Sequence, residues 1–147
     1  MWQKIIIAVG RVLIALIFVI SGVSKLFNWN ASLQHIESVL TDWHAYVGGG
    51  AFFETAISLA PVLLGLAIAF ELIGGCSVLI GYRAKWGAFL LILFLIPTTL
   101  LVHHFWFLEG QAKTDEQINF IKNCAILGGL MVLWASSSLL DKRRAPF

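Results

Sequence analysis

Six polar residues in an otherwise apolar chain have the types and placing to do chemistry together: Lys25, Glu54, His103, His104, Lys122 and Asn123. They belong to four separate apolar runs, yet all fall near the end of each run that the basic residues assign to the outer side. Ammonium and imidazole donors at one depth would grip a hydrogen-bond-accepting head group and stabilise charge developing on its oxygen. A quinone head group, a small anion or a partner protein's loop would suit such a layer. Plain anchoring in the headgroup region is the simpler account, because a lysine stem can snorkel to water. His35, His44 and Asp42 are placed to roof the layer, and Phe18, Leu64, Ile96 and Leu127 to lie beneath it. Adjacent residues on a regular helix diverge by about 100°, so only one of the two neighbouring histidines can point inward. His103 is the choice, because its face continues through Thr99 and Ile96. The expected ligand-binding set is therefore Lys25, Glu54, His103, Lys122 and Asn123, and no residue is assigned a catalytic role.

A second, inner layer holds Arg11 and Glu71, each roughly 10–15 Å from the inner end of its helix. An isolated charge at that depth costs at least a few kcal/mol, so the two are expected to form a structural ion pair. The pair would fix helix register, or else serve a proton- or ligand-coupled site. Both residues sit on faces rich in small side chains: Arg11, Ala15, Phe18, Gly22 and Lys25 on one helix, and Ala60, Ala67, Glu71 and Gly75 on another. Such faces suit close helix contact within a membrane rather than lipid.

Several chemistries find no support. His103 and His104 splay apart, His35 and His44 lie nine residues apart on opposite faces, and no H-x-x-x-H occurs, so no metal site is expected. Cys76 and Cys124 belong to different depths, too far apart for a disulfide, and both read as packed apolar residues. There is no G-x-G-x-x-G, Walker loop, G-x-S-x-G or H-E-x-x-H.

The elements that must position these residues follow from hydropathy. The 147 residues are 59% hydrophobic and 12% charged, with a mean hydropathy of +0.88, which marks an integral membrane protein. Four runs, at about 5–27, 51–80, 85–108 and 118–140, are long enough to cross a hydrocarbon core about 30 Å thick. The first is not expected to be a cleaved signal, since Arg11 interrupts it, it is too long and no A-x-A site follows. Between the first two runs, Leu33, Ile36, Val39, Leu40 and Trp43 recur at helical spacing, which predicts a short amphipathic helix on the outer surface. Gly48-Gly49-Gly50 follows as a hinge. Gly81 to Lys85 predicts a tight turn, Pro97 a kink, and Glu109 to Gln117 a short polar loop. The fold expected is an all-α, single-domain four-helix membrane bundle over residues 1–147, with that extra short helix in the first outer loop.

Seven of the ten Lys and Arg fall on the side of the two chain ends and the second connection. The positive-inside rule then puts both termini in the cytoplasm and all four histidines outside, and two tryptophan belts agree. The basic Lys142-Arg143-Arg144 reads as an anchor near anionic lipid. A net charge of +2 gives no reason to expect nucleic acid as a partner.

These motifs resemble a known family. Arg11…Phe18…Ser21-Gly22-x-x-Lys25-Leu26 is similar to the first-helix pattern of the DoxX family of small four-helix bacterial inner-membrane proteins. Glu71-x-x-Gly74-Gly75, Gly81-x-Arg83, the histidine at His103/His104 and Lys122-Asn123…Leu127-Gly128-Gly129-Leu130 fit as well. The resemblance implies a four-helix bundle in the inner membrane, linked to redox systems such as thiosulfate:quinone oxidoreduction or a complex with superoxide dismutase and a sulfurtransferase. The segment from Ala31 to Gly50 is its least family-like part.

Two functions remain open on these grounds. One is a redox-associated subunit that holds a quinone or similar lipophilic carrier in an outer-facing polar pocket. The other is a non-catalytic membrane anchor or scaffold for a redox or sulfur-handling partner protein. The lipid bilayer is the first partner in either case, with a redox protein or a second copy of the chain beside it.

Overall fold

The computed structural model describes residues 2–144. The side chains of Lys4 and of residues 138–144 lie outside that description, and with them the Lys142-Arg143-Arg144 anchor. Helix α1 (Trp2–Phe27) is followed by α2 (Trp29–Val47), α3 (Ala51–Ser58), α4 (Ala60–Ile80) and α5 (Ala84–Val102). A 3-10 turn (Phe105–Phe107) then leads into α6 (Gly110–Arg144), and no strand occurs among the described residues. Four segments are long and apolar enough to cross a membrane: Ile5–Phe27, Ala60–Ile80, Ala84–Phe107 and Gly110–Ser137. The amphipathic segment of the first loop is helical as expected (α2), and it turns Val39 and Leu40 into the core.

Two boundaries differ from the expected ones, each for a local reason. The run expected over 51–80 is broken at Leu59 into α3 and α4. Pro61 lies in the first turn of α4, where its missing N–H belongs to the donors that have no helical partner anyway. The loop expected over Glu109 to Gln117 is instead the first two turns of α6. Good helix formers fill it, and Gln111 donates across one turn to Asp115 at 2.9 Å. The tight turn between α4 and α5 is as expected, with Gly81 closing α4 at φ 85°. α5 runs on through Pro97, and the Thr98 and Thr99 hydroxyls donate to the carbonyls of Phe94 and Leu95.

Helix α4 packs against both α1 and α5, α5 also against α6, while contact between α1 and α6 is slight. The four long helices therefore form a row folded into an incompletely closed ring. It has a loop end, carrying α2 and α3, and a turn end, carrying the α4–α5 turn. Toward the turn end the packing is tight because glycines let backbones meet. A Cβ at Gly74 would lie 2.8 Å from Leu91 and 3.0 Å from the Gly87 carbonyl, and one at Gly75 would lie 2.9 Å from Val19. In lipid, where apolar burial between helices gains little, such contact supplies the dispersion that holds helices together. The core joins Ala15, Phe18, Val78, Ala88, Leu91, Phe94, Leu95, Leu130 and Leu133. Ile6, Leu13, Ile20, Ile73 and Val132 face outward, as lipid-facing positions should. Cys76 and Cys124 are also exposed, not packed as expected, because the core faces of α4 and α6 carry glycine and leucine instead.

Candidate functional site

The side chains of a helix tilt toward its N-terminus, and that decides which cation meets Glu71. Lys25 lies near the loop end of α1, so its stem runs back along the helix past Ser21. Glu71 lies midway along the antiparallel α4, and its side chain leans toward the loop end. They converge: Lys25 Nζ donates to both Glu71 carboxylate oxygens at 2.8 Å and also to the Ser21 hydroxyl. The Glu71 side chain is 3% exposed and that of Lys25 27%. Gly22 makes the approach possible, since a Cβ there would meet Leu72 at 2.9 Å and Glu71 at 3.2 Å.

The expected Arg11–Glu71 pair is thereby corrected. Arg11 is eleven residues below Gly22, or about 16 Å along α1, and it leans further toward the turn end. There its Nε donates to the Val78 carbonyl at 2.9 Å and its Nη2 to the Leu79 carbonyl at 3.3 Å. These carbonyls belong to the last turn of α4 and have no helical donor, so the guanidinium caps the negative end of that helix. A depth estimate good to one or two turns could not separate these partners.

Above the ion pair, a cavity of about 400 Å³ occupies the loop half of the ring. Its apolar wall includes Ile17, Phe18, Phe94, Leu95 and Ile126, and its polar groups are Ser21, Lys25, Ser32, His35, Glu71, Thr98, His103 and Asn123. Phe94 packs edge-on to Phe18 with centroids 6.4 Å apart, and Lys25 Nζ is 6.0 Å from the Phe94 ring. Among the described residues, Ser32, His35 and Asn123 line this space without a side-chain hydrogen bond.

The structure brings together Lys25, His103 and Asn123 of the expected set. Lys122 stands apart, exposed in a shallow recess between α1 and α6 that shares Ile17, His103, Asn123 and Ile126 with the cavity. Glu54 does not reach it. That residue lies on α3, beyond the Leu59 break, with its side chain 72% exposed and 3.8 Å from His44. Of the two neighbouring histidines only His103 lines the cavity, as expected, although the regular helix assumed for that choice ends at Val102 and both lie beyond it. His103 faces the cavity and holds Glu116 through Nδ1 at 2.6 Å. His104 is buried beside Trp43, Tyr46 and Phe107, and its Nδ1 donates to the Leu101 carbonyl at 2.8 Å. The Trp43 indole donates to that same carbonyl at 2.8 Å, fastening α2 over the end of α5. Of the apolar floor, Phe18 lines the cavity, Leu64 is buried elsewhere in the core and Ile96 points outward.

Sequence reasoning missed Ser21, Ser32, Thr98 and Glu116. Ser21 lies one turn before Lys25 and was recoverable from that spacing. Glu116 was not, because it falls in a stretch that reads as loop. Among the described residues no three metal-ligating side chains come together.

The DoxX family model matches residues 6–104, a stretch that contains Lys25, Glu71 and His103 but stops short of Asn123. The chain is 24% identical over 131 residues to inner membrane protein YphA of Escherichia coli (strain K12), an alignment covering 89% of this chain and 82% of that protein. No solved structure matches it.

Proposed function

This chain belongs to the DoxX family, and on that footing we propose that it is a redox-associated subunit of the bacterial inner membrane whose cavity holds a quinone or similar lipophilic carrier. One observation carries the reading: a neutralised ion pair is set into the wall of a mostly apolar cavity with unpartnered polar groups opposite. The volume is in the range of small-molecule sites, which pair apolar walls with a few orienting polar groups. Glu71 cancels the Lys25 charge and Glu116 stands behind His103, so an anionic ligand would meet two carboxylates. An uncharged head group with acceptor oxygens meets donors instead: Asn123, Ser32, His35, and Lys25 if a ligand oxygen takes the place of Ser21. The Phe18 and Phe94 rings offer flat apolar surface to its ring. Electrons would come from or go to a partner protein in the same membrane.

Extraction in mild detergent followed by mass spectrometry of the co-purifying small molecules tests this. The native protein should retain quinone. His35→Leu and Asn123→Leu should each retain about tenfold less, the worth of one hydrogen bond to a charged or well-placed group, with helix content unchanged by circular dichroism. A stoichiometric partner protein with no small molecule would instead establish the anchor or scaffold reading.

For orientation we propose both termini in the cytoplasm and the loop end outside, in keeping with the seven basic residues on the turn side. With Cys76 and Cys124 replaced by serine, a cysteine at Ser32 should react with an impermeant maleimide in intact cells. A cysteine in place of Ala145 should stay unlabelled until the cells are lysed, and the reverse pattern would invert the topology.

A further inference from the structure

A second opening, of about 250 Å³, lies on the other side of the cavity under α2, and its lining contrasts with that of the first. It is walled by Val39 and Leu40 of α2, Leu63, Leu66 and Phe70 of α4, and Leu93, Pro97 and Leu101 of α5. The two spaces share Ile36, Ala67, Phe94, Thr98 and Val102 as common wall. Those shared residues set the two spaces side by side, on the loop side of the close α4–α5 contact at Gly74 and Gly87. Polarity therefore falls in one direction across the molecule. Lys122, Asn119 and Asn123 border the recess on the α1–α6 side, the mixed cavity comes next, and a groove with Thr98 as its one hydroxyl comes last. Leu63 and Leu66 at the rim of the groove are exposed toward the surrounding lipid.

We propose that this groove seats the hydrocarbon tail of the same ligand whose head group occupies the cavity, so that the site fixes which way a tailed, isoprenoid-type carrier lies. The inference rests on the quinone reading above and adds the tail's path to it. The path is set by shape and not by affinity. A tail in the bilayer is already out of water, so moving it into the groove gains little from the hydrophobic effect. What the groove supplies is orientation: with the tail led out between α2, α4 and α5, the ring is presented to Lys25 and Asn123 from one side only.

The consequence is a steric test. Leu63→Trp and Leu66→Trp fill the groove from its lipid-facing rim, and neither position lines the cavity. Photo-crosslinking in proteoliposomes would use two azido-benzoquinones, one bearing a chain of several isoprenoid units and one bearing none, with the labelled protein quantified by mass spectrometry. Labelling by the tailed probe should fall about tenfold in either variant, the effect of an overpacked site, while labelling by the tail-less probe stays within about twofold of the native protein. Equal labelling by both probes in native and variant proteins would overturn the tail path and leave the quinone site standing. If neither probe labels the native protein, the quinone reading fails and the tail path falls with it. An unchanged melting curve for each variant shows that the bundle is intact.

Discussion

Replacing Lys25 with alanine should destabilise the protein by about 3–5 kcal/mol, the range for stripping one partner from a buried ion pair. Glu71 would be left with its carboxylate 3% exposed and no cation in reach. The double variant Lys25→Met/Glu71→Leu keeps similar volume without charge and should lie within about 1.5 kcal/mol of the native protein. Unfolding in SDS titrated against mild detergent, followed by near-ultraviolet circular dichroism, reads both. A single variant as stable as the native protein would mean that water in the cavity already screens the pair.

Gly87→Val should cost about 3 kcal/mol, the upper part of the range for overpacking. A Cβ at Gly87 would lie 2.6 Å from Ser77 Cβ and 2.8 Å from the Gly74 carbonyl oxygen. The obstacle includes backbone, so relief requires α4 and α5 to separate along the seam that holds Leu91 and Val78 in the core. Gly128→Ala is the control, since nothing lies within 4 Å of a Cβ there, and it should stay within about 0.5 kcal/mol. A loss at Gly87→Val no larger than that at Gly128→Ala would show that the close contact at Gly87 carries no such cost.

The spans were legible because runs of twenty or more apolar residues leave the backbone few alternatives in lipid. Length alone could not show that Pro61 starts a new helix, since α3 and α4 read as one apolar run. The polar layer was legible as a group: Lys25, His103 and Asn123 do share a cavity. Its membership was not, because Glu54 depended on α3 continuing straight into α4. The ion pair was misassigned for a related reason. Depth counted in residues places Cα atoms, whereas Lys25 reaches Glu71 by a long stem whose lean depends on chain direction. Glu116 needed the loop before it to be read as helix, and nothing in its spacing from His103 signals that.

The two capped cations of α1 also bear on how the chain enters the membrane. Arg11 finds its acceptors, and Lys25 its carboxylate, on α4, a helix synthesised some fifty residues later; on α1 itself Lys25 has only the Ser21 hydroxyl. Until then α1 must reside in lipid with both charges unmatched. They lie about 21 Å apart along the helix, one toward each interface, so each long side chain can extend to the nearer headgroup layer while the apolar middle spans the core. Arrival of α4 then draws both inward, one onto a carboxylate and one onto bare helix carbonyls. Insertion and assembly are thus separable steps for this helix, and the same two side chains serve as interfacial anchors in the first and as interhelical latches in the second.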